Sequence, residues 1–371
     1  QRTKRTSETE NAETYVHSRN HSKEAQMILK TSLTIKYLLL LCAFVLSTPI
    51  TLMAQDKQFT LHDLIPGGKT YSRFVPENRS QLQWIGDDMY IYVEKNSVIG
   101  AKPKHYPEIR VSLSGLNEAL QAAGLDTVGR MPSFSVPYKD KQILAFTSKQ
   151  HRIHYDMQRH KVVTDYKLDR KWSNYAFCPA NNYLAFTEGN NIQILSPENR
   201  PEIVTRETKD GVVCGQAVHQ REFGINKGLF WSPEGDALAF YRMDESMVTD
   251  YPIVNIDARC AKAEPNKYPM AGMKSHEVTV GVYNLASGNT IWLKTGTPKE
   301  KYLTNIAWNP DGKSIYIAEL NRDQNEMHLV RYSALTGEKE ADLFTETNEH
   351  YVEPQHPCLL YTSPSPRDPK T

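Results

Sequence analysis

Charge of one sign is the first thing this 371-residue sequence lacks: 44 lysines and arginines face 43 aspartates and glutamates, for a formal net charge of +1. No bulk electrostatic pull toward nucleic acid or an anionic membrane follows, so any partner must be recognised by local features. Cysteine is scarce too. Of the five, Cys42 falls in an apolar N-terminal run and Cys358 in a tail unlike the text before it, leaving Cys178, Cys214 and Cys260. An odd, sparse set of three argues against a disulfide framework. The apolar run itself, Tyr37–Ser47 (YLLLLCAFVLS), is about 11 residues, short against the roughly 20 that cross a bilayer.

Signatures of chemistry are lacking as well. No Gly-x-Ser-x-Gly elbow occurs, and no Ser, His and Asp set has a context that would strain a serine into a nucleophile, so no catalytic residue is expected in this chain. Gly67-Gly68-Lys69-Thr70 ends like a phosphate loop, but Asp63 stands where that motif needs glycine. His276-Glu277 opens like a zinc-protease HExxH, but Val280 stands where the second ligand belongs, and the pair reads as the polar start of a strand. No metal or cofactor is expected.

What is present is globular: 39% of residues are hydrophobic, enough to build a core. Residues 27–54 read as a secretory signal, with Met27 as start, Lys30 and Lys36 as a basic region, the apolar run, and Ala54 before cleavage, so that the mature protein begins at Gln55 and is exported to the periplasm, cell surface or medium. A membrane anchor and a lipoprotein cysteine at Cys42 are the weighed alternatives, the latter disfavoured by Leu39-Leu40-Leu41 ahead of it. Residues 1–26, polar and without apolar periodicity, read as translated upstream sequence, and 358–371 as a foreign, adapter-derived tail. The native folded part is expected over 55–357.

Within it, one phrase recurs: an aromatic, a turn, then an alternating apolar strand. It stands at Trp231 (WSPEGDALAFYR), at Trp308 (WNPDGKSIYIAEL) and, more loosely, at Phe177 (FCPANNYLAFTE), Phe134 (FSVPYKDKQILAFTS) and Trp84 (WIGDDMYIYVEK). Pro followed by Glu-Gly, Asp-Gly or Asn-Asn is turn chemistry, because Pro fixes one φ and Gly or Asn accepts a positive φ after it. Each phrase predicts a β-hairpin. The starts lie 50, 43, 54 and 77 residues apart, a period that suits four-stranded propeller blades, each burying faces on its neighbours. The expected fold is therefore all-β, about five blades of a β-propeller. The 77-residue interval predicts an insertion between Asp250 and Ser275, rich in Pro and Gly, either an extended arm or a plain surface loop. One short helix is expected, Ser114–Ala123, with Ser or Asn capping and Leu116 and Leu120 facing inward.

Between blades, Gly215–Gly228 (GQAVHQREFGINKG) carries His219, Arg221 and Glu222 between glycines. A carboxylate held at a rim can bind an amine through a charge-assisted hydrogen bond; the other reading is a solvated polar turn. Arg242 and Asp244 read as a structural ion pair.

The runs Val218–Val248, Tyr268–Gly288, Thr295–Gly312, His350–Pro357 and Phe59–Lys69 resemble the propeller of the dipeptidyl peptidase IV family of prolyl-specific serine peptidases, and most closely its bacterial tripeptidyl members. The resemblance covers Phe59 to Pro357. It implies an N-terminal eight-bladed propeller capping an α/β-hydrolase domain, here absent, that would carry the catalytic triad; a tendency to dimerise; and peptide substrates with proline near the N-terminus. Family members hold the substrate α-amino group with paired propeller glutamates. Here Glu222 falls on the second and Arg221 replaces the first, with His219 and Arg221 as possible supports, a departure that points to release of Xaa-Xaa-Pro tripeptides rather than Xaa-Pro dipeptides. A propeller that binds without catalysis is the reading from another class.

Overall fold

The computed structural model describes residues 58–76 and 79–354, and the single residue at 36. The expected leader, apart from that residue, and both expected foreign ends lie outside the described residues. Residues 58–76 belong to a separate compact unit. It holds a four-residue helical turn, Leu61–Leu64, capped reciprocally by Thr60 and Asp63, and a tighter turn at Tyr71–Arg73.

Residues 79–354 are almost all β. Five antiparallel sheets follow one another in chain order, one for each recurring phrase, four of them four-stranded and the fourth of five strands. The first comprises Ser80–Ile85, Met89–Glu94, Ser97–Ala101 and Glu108–Ser112; the second Phe134–Ser135, Ile143–Ser148, His151–Asp156 and Lys161–Lys167; the third Trp172–Phe177, Leu184–Glu188, Asn191–Leu195 and Pro201–Ile203. The fourth is built on Ala237–Asp244, Glu277–Asn284 and Thr290–Trp292, and the fifth on Tyr302–Trp308, Ser314–Leu320, Glu326–Ser333 and Lys339–Thr347. In every phrase the aromatic lies in or at the end of the first strand, and the apolar run forms the second. The turn residues Asn182, Gly235 and Gly312 sit at φ of 62°, 74° and 68°, as the turn chemistry requires.

Each sheet is apolar on both faces and buries them against its neighbours. Ile91 of the first packs with Leu144 and Phe146 of the second; Tyr166 of the second packs with Leu184 and Phe186 of the third; Ile194 of the third packs with Phe240 of the fourth; Val280 of the fourth packs with Ile315 and Ile317 of the fifth. The repeated tryptophan adds a directional link. Trp231 donates its indole N–H to the Ala176 carbonyl of the preceding blade at 2.9 Å, and Trp308 donates to Phe230 at 2.9 Å. Both acceptors sit one residue before the preceding blade's own aromatic, so the bond repeats in register. The expected helix is present as Leu113–Ala122, with Ser112 accepting from Gly115 N at 3.1 Å and Leu116 and Leu120 buried beneath it.

The insertion in the fourth blade is an arm: Asp250–Asn255 pairs antiparallel with Lys262–Lys267, separate from the blade's own sheet. The expected Arg242–Asp244 pair does not form. Arg242 pairs with Glu207 at 2.8 Å and Asp244 with Lys209 at 2.6 Å. Residues two apart on a strand share a face but stand well apart along it, and the segment before Val212–Cys214 brings a partner to each.

Candidate functional site

The first strand of the fourth blade is broken in two. Val212–Cys214 and Leu229–Trp231 both pair with Ala237–Asp244 along one edge, the former opposite Arg242–Asp244 and the latter opposite Leu238–Phe240. Between them, the Gly215 amide donates to the Tyr241 carbonyl at 2.8 Å, and the Tyr241 amide donates to the Gly228 carbonyl at 3.1 Å. The chain thus leaves the sheet and returns to it at a single residue. The neck tolerates no side chain: a Cβ on Gly228 would stand 2.2 Å from the Gln216 carbonyl oxygen, and one on Gly215 would meet Ile192, Thr187 and Leu229 at 2.8 to 3.0 Å.

The loop so formed turns on backbone that side chains ordinarily avoid. His219, Gln220, Arg221 and Phe223 have φ of 53°, 53°, 65° and 55°. Each such non-glycine residue costs on the order of 1 kcal/mol or more, and a run of them persists only where the surroundings hold both flanks. They are held. Phe223 is 6% exposed, packed edge-on to Tyr302 at 5.1 Å and against Leu320, Met327 and Leu329 of the fifth blade. Val218 and Ile225, at the two ends of the turn, lie in the apolar cluster shared by the fourth and fifth blades.

His219 is the polar anchor. It is 3% exposed, and its Nε2 accepts the Leu303 backbone N–H at 3.1 Å while its Nδ1 lies 2.9 Å from His276 Nε2. Burial pushes the His219 imidazolium well below its usual range, with His276 and the Arg322 guanidinium adding repulsion. Burial, with Arg322 adding repulsion, also lowers His276, to about 4. Both rings are therefore neutral near pH 7.

The three residues singled out from sequence differ in their surroundings. Glu222 is exposed between the two anchors and is the one residue of the turn in extended conformation, at φ −62° and ψ 165°. Its carboxylate has no hydrogen bond or ion pair among the described residues. Arg221 is likewise exposed, and its backbone N–H donates to the Val218 carbonyl at 3.0 Å. The hydrogen bonds of His219 go to His276 and Leu303. Sequence reading missed Phe223, His276 and Tyr302 as parts of this site. Only His276 had drawn notice, as a zinc motif that fails. A rigid, strained turn presenting one unpaired carboxylate can bind a cationic group with little rearrangement.

A nearly all-β chain of five propeller-type blades, with such a turn spliced into the first strand of the fourth, defines a class of region built on repeated sheets. The chain matches the family described as "Dipeptidyl peptidase IV (DPP IV) N-terminal region" over residues 133–369. It belongs to that family. The crystal structure of a candidate dipeptidyl aminopeptidase IV from Bacteroides ovatus is 42% identical, with a TM-score of 0.72, over 81% of this chain and 41% of that one. That of Porphyromonas gingivalis dipeptidyl peptidase 4 shares the fold at 21% identity, with a TM-score of 0.57, over 81% of this chain and 44% of that one. Among curated proteins, the "Probable dipeptidyl-aminopeptidase B" of Phaeosphaeria nodorum is 28% identical over 129 residues, 30% of this chain and 14% of its own length. The chain thus spans less than half the length of each of these relatives.

Proposed function

We propose that this chain is the substrate-recognition region of an exported serine exopeptidase that releases Xaa-Xaa-Pro tripeptides from peptide N-termini. Glu222 anchors the free α-amino group, and an α/β-hydrolase domain, in the length that this chain does not share with its relatives, supplies the activated serine with its His base and Asp orienter. The observation that carries the reading is Glu222 itself: one exposed, unpartnered carboxylate on a turn too strained to exist without purpose-built anchors. An ammonium held there fixes the distance from substrate terminus to nucleophile, and that distance sets product length. A single anchoring carboxylate with Arg221 beside it supports the tripeptide over the dipeptide.

A second reading, release of Xaa-Pro dipeptides, is favoured by the names of the relatives, which are dipeptidyl peptidases or aminopeptidases. Assay of the complete enzyme on Ala-Ala-Pro and Gly-Pro chromogenic substrates separates the two. Faster turnover of Ala-Ala-Pro is expected, and preference for Gly-Pro overturns the tripeptide reading. Turnover of neither leaves the chain a non-catalytic binding propeller.

A further inference from the structure

His276 lies 57 residues from His219 in sequence, at the head of strand Glu277–Asn284, and is 5% exposed. Its Nε2 stands 2.9 Å from His219 Nδ1. The tautomers follow from one backbone bond. Leu303 N–H donates to His219 Nε2, so that nitrogen carries no proton and neutral His219 holds its proton on Nδ1. His219 therefore donates to His276 Nε2, which must be bare, and His276 holds its own proton on Nδ1. The result is a one-way chain from the Leu303 amide through His219 to His276, joining the first strand of the fifth blade, the Glu222 turn and the third strand of the fourth.

No other hydrogen bond through a side chain ties residues 219–224 to the body of the protein among the described residues. Tyr302 packs edge-on to His219 at 5.0 Å, and Arg322 donates to the Tyr302 hydroxyl at 2.7 Å. No third His, Cys, Asp or Glu among the described residues joins the pair to make a metal site.

We infer that His276 is a positioning residue for amino-terminus recognition: through His219 it fixes the left-handed turn on which Glu222 stands. This rests on the reading of Glu222 as the amine anchor. With the His276 acceptor gone, the buried Nδ1–H of His219 is unsatisfied, and the turn has a reason to relax toward ordinary backbone. The carboxylate then loses its fixed place, and substrate binding weakens while the chemical step is left alone. Gln at 276 can place an amide oxygen near the position of Nε2 and restore the acceptor.

The test uses the complete enzyme as wild type, His276→Ala, His276→Gln and, as control, Glu222→Ala, with free-amine and N-acetylated prolyl peptides and amide hydrogen exchange across 216–227. Expected for His276→Ala are a KM raised about tenfold on the free-amine peptide, the size set by one buried hydrogen bond, kcat and the acetylated peptide little changed, and faster exchange confined to the turn. His276→Gln is expected within about threefold of wild type on all counts. Equal loss on both peptides, unchanged exchange in the turn, or no rescue by Gln overturns the inference. Glu222→Ala failing to discriminate the two peptides overturns the anchor reading instead, and exchange in the turn then decides the role of His276 alone.

Discussion

Phe223 offers a test of the strained turn in which two substitutions should fall in the reverse of their usual order. Its ring is 6% exposed and packs on Tyr302 and the face of the fifth blade, while its backbone sits at φ 55° and ψ 31°. Phe223→Ala removes a buried aromatic, a change that costs about 3–5 kcal/mol in cores and belongs at the lower end here, where a loop can collapse inward. Phe223→Gly removes the same ring and one methyl more, but it also relieves the left-handed penalty of about 1 kcal/mol that Ala still bears. In a helix or strand Gly would be the worse of the two by roughly 0.5–1 kcal/mol. Here it should be the better by about 1 kcal/mol. Urea titration followed by tryptophan fluorescence reads both midpoints, and the expected order holds because the left-handed penalty on Ala outweighs the extra entropy that Gly gives the unfolded chain. A Gly variant clearly less stable than the Ala variant would refute the account of the turn as strained.

Acid should loosen the fold through three buried histidines. His154 and His276 are pushed down to about 4 and His219 well below its ordinary range, each mainly by burial. The unfolded chain binds protons near 6.5 while the folded chain does not, so their stabilisation is complete above about pH 6.5 and is lost as pH falls toward 4, at up to about 1.4 kcal/mol per pH unit for each ring. Urea midpoints at pH 7, 5.5 and 4.5 check this, and a flat profile would contradict it. Trp308→Phe keeps a six-membered aromatic ring but removes the fused five-membered ring whose N–H satisfies the Phe230 carbonyl at 2.9 Å. A loss of about 1–2 kcal/mol is expected by the same titration, against near-neutrality if that carbonyl finds water.

How much of this was legible in the sequence depended on the range of the interaction concerned. The five blades could be read because each hairpin advertises itself locally: an aromatic, Pro-Glu-Gly or Pro-Asp-Gly, then alternation, with Gly235 and Gly312 at the positive φ their turns demand. The cap at Ser112 differs from the expected start by a residue or two, which is the ordinary looseness of helix ends. The break in the first strand of the fourth blade was not legible. Val212–Cys214 is three residues long and gives no periodicity, so the loop looked as though it lay between blades rather than inside a strand. Glycines flanking the segment were visible, but their reason, a neck with no room for a Cβ, needs coordinates. Arg242 and Asp244 looked paired because the rule for neighbours was applied along one strand, while the real partners, Glu207 and Lys209, approach from the preceding segment. The His219–His276 contact spans 57 residues, and no local pattern announces it.

The central claim is that Glu222 holds a substrate amine, and Glu222→Gln tests it most directly because it removes the charge and keeps the shape. On the complete enzyme, kcat/KM for a free-amine prolyl peptide should fall roughly 10- to 100-fold, the value of a charge-assisted hydrogen bond, with the N-acetylated peptide unchanged. An equal loss on both peptides, or no loss on either, would contradict the account.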